Sequence, residues 1–142
     1  MSENRYDIGM KTRRSVLGDA HVDRASKNVT EIDEGFQRYI TENVWNGVWT
    51  SDNFTKRERS IVTIALLAGL GHEEELAMHI RATLNTGATR DDVRETLMHV
   101  AVYAGVPAAN TAFRIAKQTY AEIDAADKAA KADKTDKADK GE

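Results

Sequence analysis

An all-α, single-domain helical bundle is the fold class this sequence predicts, on three observations. The 142-residue chain sets one proline and nine glycines among abundant Ala, Leu, Val and Ile, which leaves long stretches free of helix breakers. Apolar residues recur at helical spacing. Cap signals stand where those segments begin and end. At this length one hydrophobic core suffices.

The first predicted helix runs from Arg5 to Leu17 and closes at Gly18-Asp19, ahead of a polar segment from Ala20 to Ala25. Thr30 is placed to cap the next, in which Ile32, Phe36, Tyr39, Ile40 and Val44 form one apolar face. Trp45-Asn46-Gly47-Val48-Trp49 breaks that pattern. Thr55 and Glu58 form a capping box, the hydroxyl and the carboxylate each satisfying a backbone N–H of the other residue. The helix they start is apolar around its circumference from Ile61 to Leu70, which puts it at the centre of the domain or of an oligomer. Gly69 and Gly71 end it, and a further helix stops at Gly87. Thr89 caps a helix whose buried stripe is Val93, Leu97, Val100, Ala101 and Ala104, with His99 and Tyr103 together at its edge. Pro107, tolerated in a first turn, opens a last helix to about Asp124. The helical domain is therefore 1–124. Residues 125–142 are Ala, Asp and Lys, a tail predicted to be disordered because it has too little apolar surface to offset its ordering entropy.

The net charge of −3 recommends neither nucleic acid nor an anionic membrane surface as a partner. The absence of cysteine excludes disulfide scaffolding, thiolate metal sites and thiol catalysis, and fits a cytoplasmic setting. No signal-peptide core or membrane-length apolar run is present.

The segment His72-Glu-Glu-Glu75-Leu-Ala-Met-His79 concentrates the chemistry. On a helix it stacks His72, Glu75 and His79 on one face directly after the apolar run, and ionisable groups aimed at a core need partners, ligands or a reaction. The bland alternative is a solvated face with intrahelical pairs. A metal site is disfavoured because neither His-x-x-x-His nor His-Glu-x-x-His occurs. Trp45 and Trp49 suit core or interface anchors as well as a substrate platform, His99 and Tyr103 a hydrogen-bonded pair, and Arg13, Arg14 and Arg24 solvated charges.

Several strings together resemble the carboxymuconolactone decarboxylase family of aromatic catabolism. They are Gly18-Asp-Ala-His-Val-Asp-Arg-Ala25, the Trp45 to Trp49 element with Thr50, Glu73-Glu-Glu-Leu76 leading to His79, and Ala101-Val-Tyr-Ala-Gly-Val-Pro-Ala-Ala-Asn110 running into Ala112-Phe-Arg-Ile-Ala116. The likeness covers about residues 5 to 123. The family's helical scaffold is shared with alkylhydroperoxidase-D-like proteins, whose catalytic cysteine pair would fall on His72 and Glu75, their histidine on His79, and their relay glutamate at about Ser60. Thiol peroxidase chemistry is thereby excluded. Ala104 departs from the decarboxylase pattern, which often has cysteine there.

The resemblance implies conversion of 4-carboxymuconolactone to 3-oxoadipate enol-lactone in protocatechuate catabolism by the β-ketoadipate pathway, with no metal and no organic cofactor. Electrons from the breaking carbon–carbon bond flow through the ring double bond into the lactone carbonyl, so the substrate is its own electron sink. In that reading His79 is the acid or oxyanion donor and Glu75 orients it. Arg14, His21 and Arg24 bind the dianion, and Trp45, Trp49, His99 and Tyr103 wall the pocket. A homo-oligomer, a hexamer built as a trimer of dimers, is implied too. The alternatives are a related lactone lyase or isomerase, and a non-catalytic oligomeric binding protein.

Overall fold

Seven α-helices and one π-turn make up the chain in the computed structural model, which describes residues 4–141. Helix α1 (Arg5–Leu17) is capped by Asn4, whose side chain accepts from the Asp7 N–H at 2.8 Å. Its buried positions are Gly9, Arg13 and Val16, an i, i+4, i+7 stripe. Gly18, at φ +89°, turns the chain directly into α2 (Asp19–Lys27). The expected polar segment is thus itself helical, held to the body by one fully buried side chain, Val22.

Thr30 does not cap the next helix. Its N–H is taken by the Asp33 carboxylate at 2.8 Å, and α3 begins four residues later and runs over Glu34–Ile40. It passes into the π-turn Thr41–Trp45, where the Asn46 N–H reaches the Thr41 carbonyl at 3.1 Å. A second wide bond follows from the Trp49 N–H to the Val44 carbonyl at 3.1 Å. The extra residue in each turn shifts the phase of the helix. Thr41, Trp45 and Trp49 consequently face inward, while Ile32, Phe36, Tyr39 and Val44 of the expected apolar face lie exposed.

Helix α4 (Lys56–Leu70) starts on the expected Thr55–Glu58 capping box and ends at Gly71, with Gly69 still inside it. It buries Ser60, Ile64 and Ala68 and leaves Val62, Leu66 and Leu70 open, so within one chain its apolar circumference is only half covered. Helix α5 (Glu73–Thr86) stops at Gly87 as predicted, and α6 (Arg90–Tyr103) carries a Thr89–Asp92 capping box. Val93, Leu97 and Val100 are buried there. Ala101 is half-buried, and Ala104, the cap residue beyond the last turn, is exposed.

The main core gathers Ile64, Leu76, Ile80, Leu97, Ala112 and Ile115 from α4, α5, α6 and α7 (Val106–Asp139). A second, smaller core joins Val16, Trp45, Trp49 and Ala82. Helix α5 belongs to both. On its other side the Asn85 amide donates to the Val16 carbonyl at 2.9 Å, tying α5 to the end of α1.

Helix α7 continues to Asp139, although nothing past Ile123 is buried. Alanine and lysine are strong helix formers, and Asp133–Lys137 (3.1 Å) and Asp136–Lys140 (3.9 Å) pair along the exposed helix, each such pair adding about 0.2–0.5 kcal/mol. No helix among the described residues is long and apolar enough to cross a membrane.

Gly9 fixes the approach of α1 to the π-turn, because a Cβ there would lie 1.9 Å from the Thr41 carbonyl oxygen. Gly9→Ala is expected to destabilise the protein by at least about 1–3 kcal/mol, the usual range for overpacking. Gly35→Ala, in a helix with open space around it, should be neutral or stabilising by up to about 1 kcal/mol. Urea midpoints of the two variants check the pair.

Candidate active site

Three helices and the π-turn converge at one corner. His79 comes from α5, Trp45 and Trp49 from the π-turn and the turn after it, His21 and Arg24 from α2, and Arg13 from α1. His79 is 7 % exposed. Its ring lies 6.4 Å from Trp45 and 6.1 Å from Trp49 in stacked orientation, and the two indoles are 5.2 Å apart. Its Nδ1 is buried with no hydrogen-bond partner among the described residues.

That environment decides the charge of His79. Burial removes the water that would stabilise an imidazolium, and His21 nearby repels a second positive charge. Against these the Glu75 carboxylate is the smallest influence, so the pKa falls to about 4. At neutral pH His79 is an uncharged imidazole that keeps one N–H to donate. His21, half-buried, is also held below its ordinary value, by burial first and then by Arg24 and Arg13.

The predicted His72–Glu75–His79 face does not form. His72 is the N-cap residue, outside the helical register, and both it and Glu75 are exposed. Glu75 makes no hydrogen bond to His79, so it supplies a nearby charge rather than the orienting contact predicted for it. Among the described residues no three His, Asp or Glu side chains come together as a metal-binding group. Ser60 is fully buried, its hydroxyl 2.7 Å from that of Thr86, a bond that joins α4 to α5.

His99 and Tyr103 do pair, with ring centroids 4.8 Å apart, but on the outer face of α6, where Tyr103 is 80 % exposed. Within the chain they do not wall this corner.

The arginines are redistributed as well. Arg14 donates to Asp19 at 3.0 Å and to Asp23 at 2.9 Å, and these two hydrogen bonds raise its pKa, so its guanidinium is already engaged. Arg24 is exposed and lines a cleft of about 410 Å³ in which His21 and Arg81 stand with one carboxylate, Glu74. Arg13, next to Arg14 but about 100° around the helix, is 8 % exposed. Sequence reading makes it a solvated charge, and its burial corrects that: it shares the Gly9–Val16 stripe, whose spacing marks an inward position.

A cationic corner with a neutral N–H donor is suited to carboxylate substrates whose reaction develops an oxyanion. Comparison with known proteins bears on that chemistry. Residues 34–118, more than half of the chain, match the Carboxymuconolactone decarboxylase family. A 4-carboxymuconolactone decarboxylase from Acinetobacter baylyi is 40 % identical over 124 residues, covering 87 % of this chain and 92 % of that protein. A nitrosuccinic acid decarboxylase from Metarhizium robertsii is 35 % identical over 114 residues, 80 % of each chain. A 4-carboxymuconolactone decarboxylase from Pseudomonas putida is 51 % identical over 39 residues, 28 % of this chain and 81 % of that sequence.

The low pKa of His79 makes stability pH-dependent. Between about pH 6.5 and 4 the unfolded chain binds a proton that the folded chain refuses, so stability falls as pH falls through that window and this contribution levels off below it. The loss from this one group is on the order of 3 kcal/mol. Urea unfolding of wild type and His79→Gln across pH 4 to 7 should show the difference between the two narrowing or reversing toward pH 4. A constant difference would mean that His79 titrates normally.

Proposed function

The chain belongs to the carboxymuconolactone decarboxylase family, and on that footing we propose that it decarboxylates 4-carboxymuconolactone to 3-oxoadipate enol-lactone without a metal or organic cofactor. The observation that carries this reading is the buried, uncharged His79 beside the Trp45–Trp49 pair, at the edge of a cationic corner.

The ring carboxylate leaves as carbon dioxide. The electron pair of the broken carbon–carbon bond moves through the ring double bond onto the lactone carbonyl oxygen, and the resulting dienolate takes up one proton at ring carbon. His79 donates its N–H to that oxygen as charge develops. A neutral imidazole suits this task because it gains a strong hydrogen bond in the transition state without having to give up its proton.

The proton for carbon comes from a group that exchanges with solvent. His21, half-buried at the open cleft, meets that condition. Burial first, and then Arg24 and Arg13, disfavour its imidazolium, and a bound dianion would offset the two arginine charges and favour the protonated form. Trp45 and Trp49 exclude water around the oxyanion, which strengthens the His79 hydrogen bond.

The relative named for nitrosuccinic acid supports a second reading, a dicarboxylate other than the lactone, on the same site. In either case the partner is a small molecule in the cytoplasm rather than a nucleic acid or a membrane.

Self-association completes the proposal. Ile32 in the turn before α3, Phe36 and Tyr39 on α3, and Leu66 and Leu70 on α4 are all more than half exposed, more apolar surface than a monomer usually presents. A hexamer built from dimers would cover it. Light scattering should give an assembly, and a stable monomer at micromolar concentration would contradict this.

Purified, chelator-treated protein should release carbon dioxide from 4-carboxymuconolactone. His79→Ala should lower turnover about 10²–10³-fold with little change in the Michaelis constant. Turnover within a few-fold of wild type in a folded His79→Ala protein would remove His79 from the reaction. Turnover of nitrosuccinate alone would select the second reading.

A further inference from the structure

We propose that Arg13 is the carboxylate anchor of this site, receiving the carboxylate that the substrate retains. The inference deepens the decarboxylase reading and rests on it for the identity of the substrate.

Arg13 is more than nine-tenths buried, and its Nε has no hydrogen-bond partner among the described residues. Nor does any carboxylate among them stand within ion-pair distance of it. A buried guanidinium normally has such a partner, since leaving it unpaired incurs the full desolvation penalty. Arg14 shows the ordinary solution one residue away, with both nearby aspartates bound to it. Among the described residues two carboxylates thus serve the partly exposed arginine and none the buried one.

The surroundings of Arg13 are arranged for an anion from outside. A cavity of about 170 Å³ opens onto it, with Gln37 and Thr41 among its neutral polar lining. Glu34 and Arg38 also line this cavity. Glu34 makes no ion pair with Arg13, and Arg38 donates to Glu42 at 3.0 Å. On its other side Arg13 is close enough to His21 for the two charges to repel, and His21 in turn repels charge on His79. The geometric link to the site is the second core, in which Val16, one turn beyond Arg13 on α1, packs with Trp45 and Trp49, the two indoles that meet the His79 ring. A dicarboxylate whose retained acid reached Arg13 would place its reacting end toward His79.

The segment that supplies this anchor has a further property. The family match begins at residue 34, so Arg13, His21 and Arg24 all precede it, while His79 lies within it.

The test uses the full-length protein and non-reacting dicarboxylates, succinate and adipate, with acetate as the single-carboxylate control. In wild type the dicarboxylates should raise the melting temperature and acetate should not. Arg13→Met keeps the apolar stem and removes the unpaired charge. It should melt at a higher temperature than wild type without ligand, lose the dicarboxylate shift, and raise the Michaelis constant about 10–100-fold with turnover within a few-fold. Arg13→Lys, which keeps the charge but not the fork, should recover only part of the shift. Arg14→Ala should retain it.

A lower melting temperature for Arg13→Met would make Arg13 a structural residue and overturn the proposal, as would an undiminished dicarboxylate shift in that variant. Because the thermal readout needs no turnover, failure to decarboxylate the lactone would refute the proposed reaction while leaving the anchor tested on its own terms.

Discussion

The close approach of α1 to the π-turn at Gly9 is the constraint on which the rest of this site depends. With no side chain at that position the two backbones can meet, the Thr41 carbonyl lying where a Cβ would stand. One turn farther along the same stripe Arg13 is carried inside, and Val16 after it. On the facing segment the wide turn brings Trp45 and Trp49 over α5, where they close on His79. A single packing decision thereby buries a cation and desolvates an imidazole.

Both consequences oppose stability. An imidazole held to a pKa of about 4 and a buried arginine with no counter-ion among the described residues are costs that the second core, Val16, Trp45, Trp49 and Ala82, has to offset. The ion pairs elsewhere show that the chain has carboxylates to place. Arg57 holds Asp92, whose pKa is strongly lowered as a result, and Arg90 holds Asp124. Those pairs brace the surface between α4, α6 and α7. Next to Arg13 no such brace was made, and strain of this kind is characteristic of sites whose missing partner is a substrate.

Much of the fold was legible because local rules and tertiary packing agreed. The Thr55–Glu58 box, the stop at Gly87 and the Val93–Leu97–Val100 stripe follow from caps and a 3.6-residue period, and α1 has the bounds the sequence implied. The misreadings have physical causes. Helix α3 buries none of its residues, so apolar positions that are periodic in sequence, such as Phe36 and Tyr39, stay on the outside, and the π-turn after it resets the phase that brings Trp45 and Trp49 inward. His72 caps rather than joins α5, which removes it from the face it shares in a helical projection. Of the paired arginines, spacing from Gly9 to Val16 favours Arg13 as the inward one, but the carboxylates that occupy Arg14 come from a helix not foreseen. Past Asp124 the composition that forbids burial still favours an isolated helix.

The proposed chemistry depends on an uncharged His79, and imidazole resonances report that directly. A pH titration of the four histidines by two-dimensional ¹H–¹⁵N NMR, assigned with His79→Gln, should show His79 neutral and in one tautomer at pH 7, titrating only near pH 4. A His79 that titrates near 6.5 or above would contradict the account, because the corner would then be wet and its N–H no longer a sealed donor.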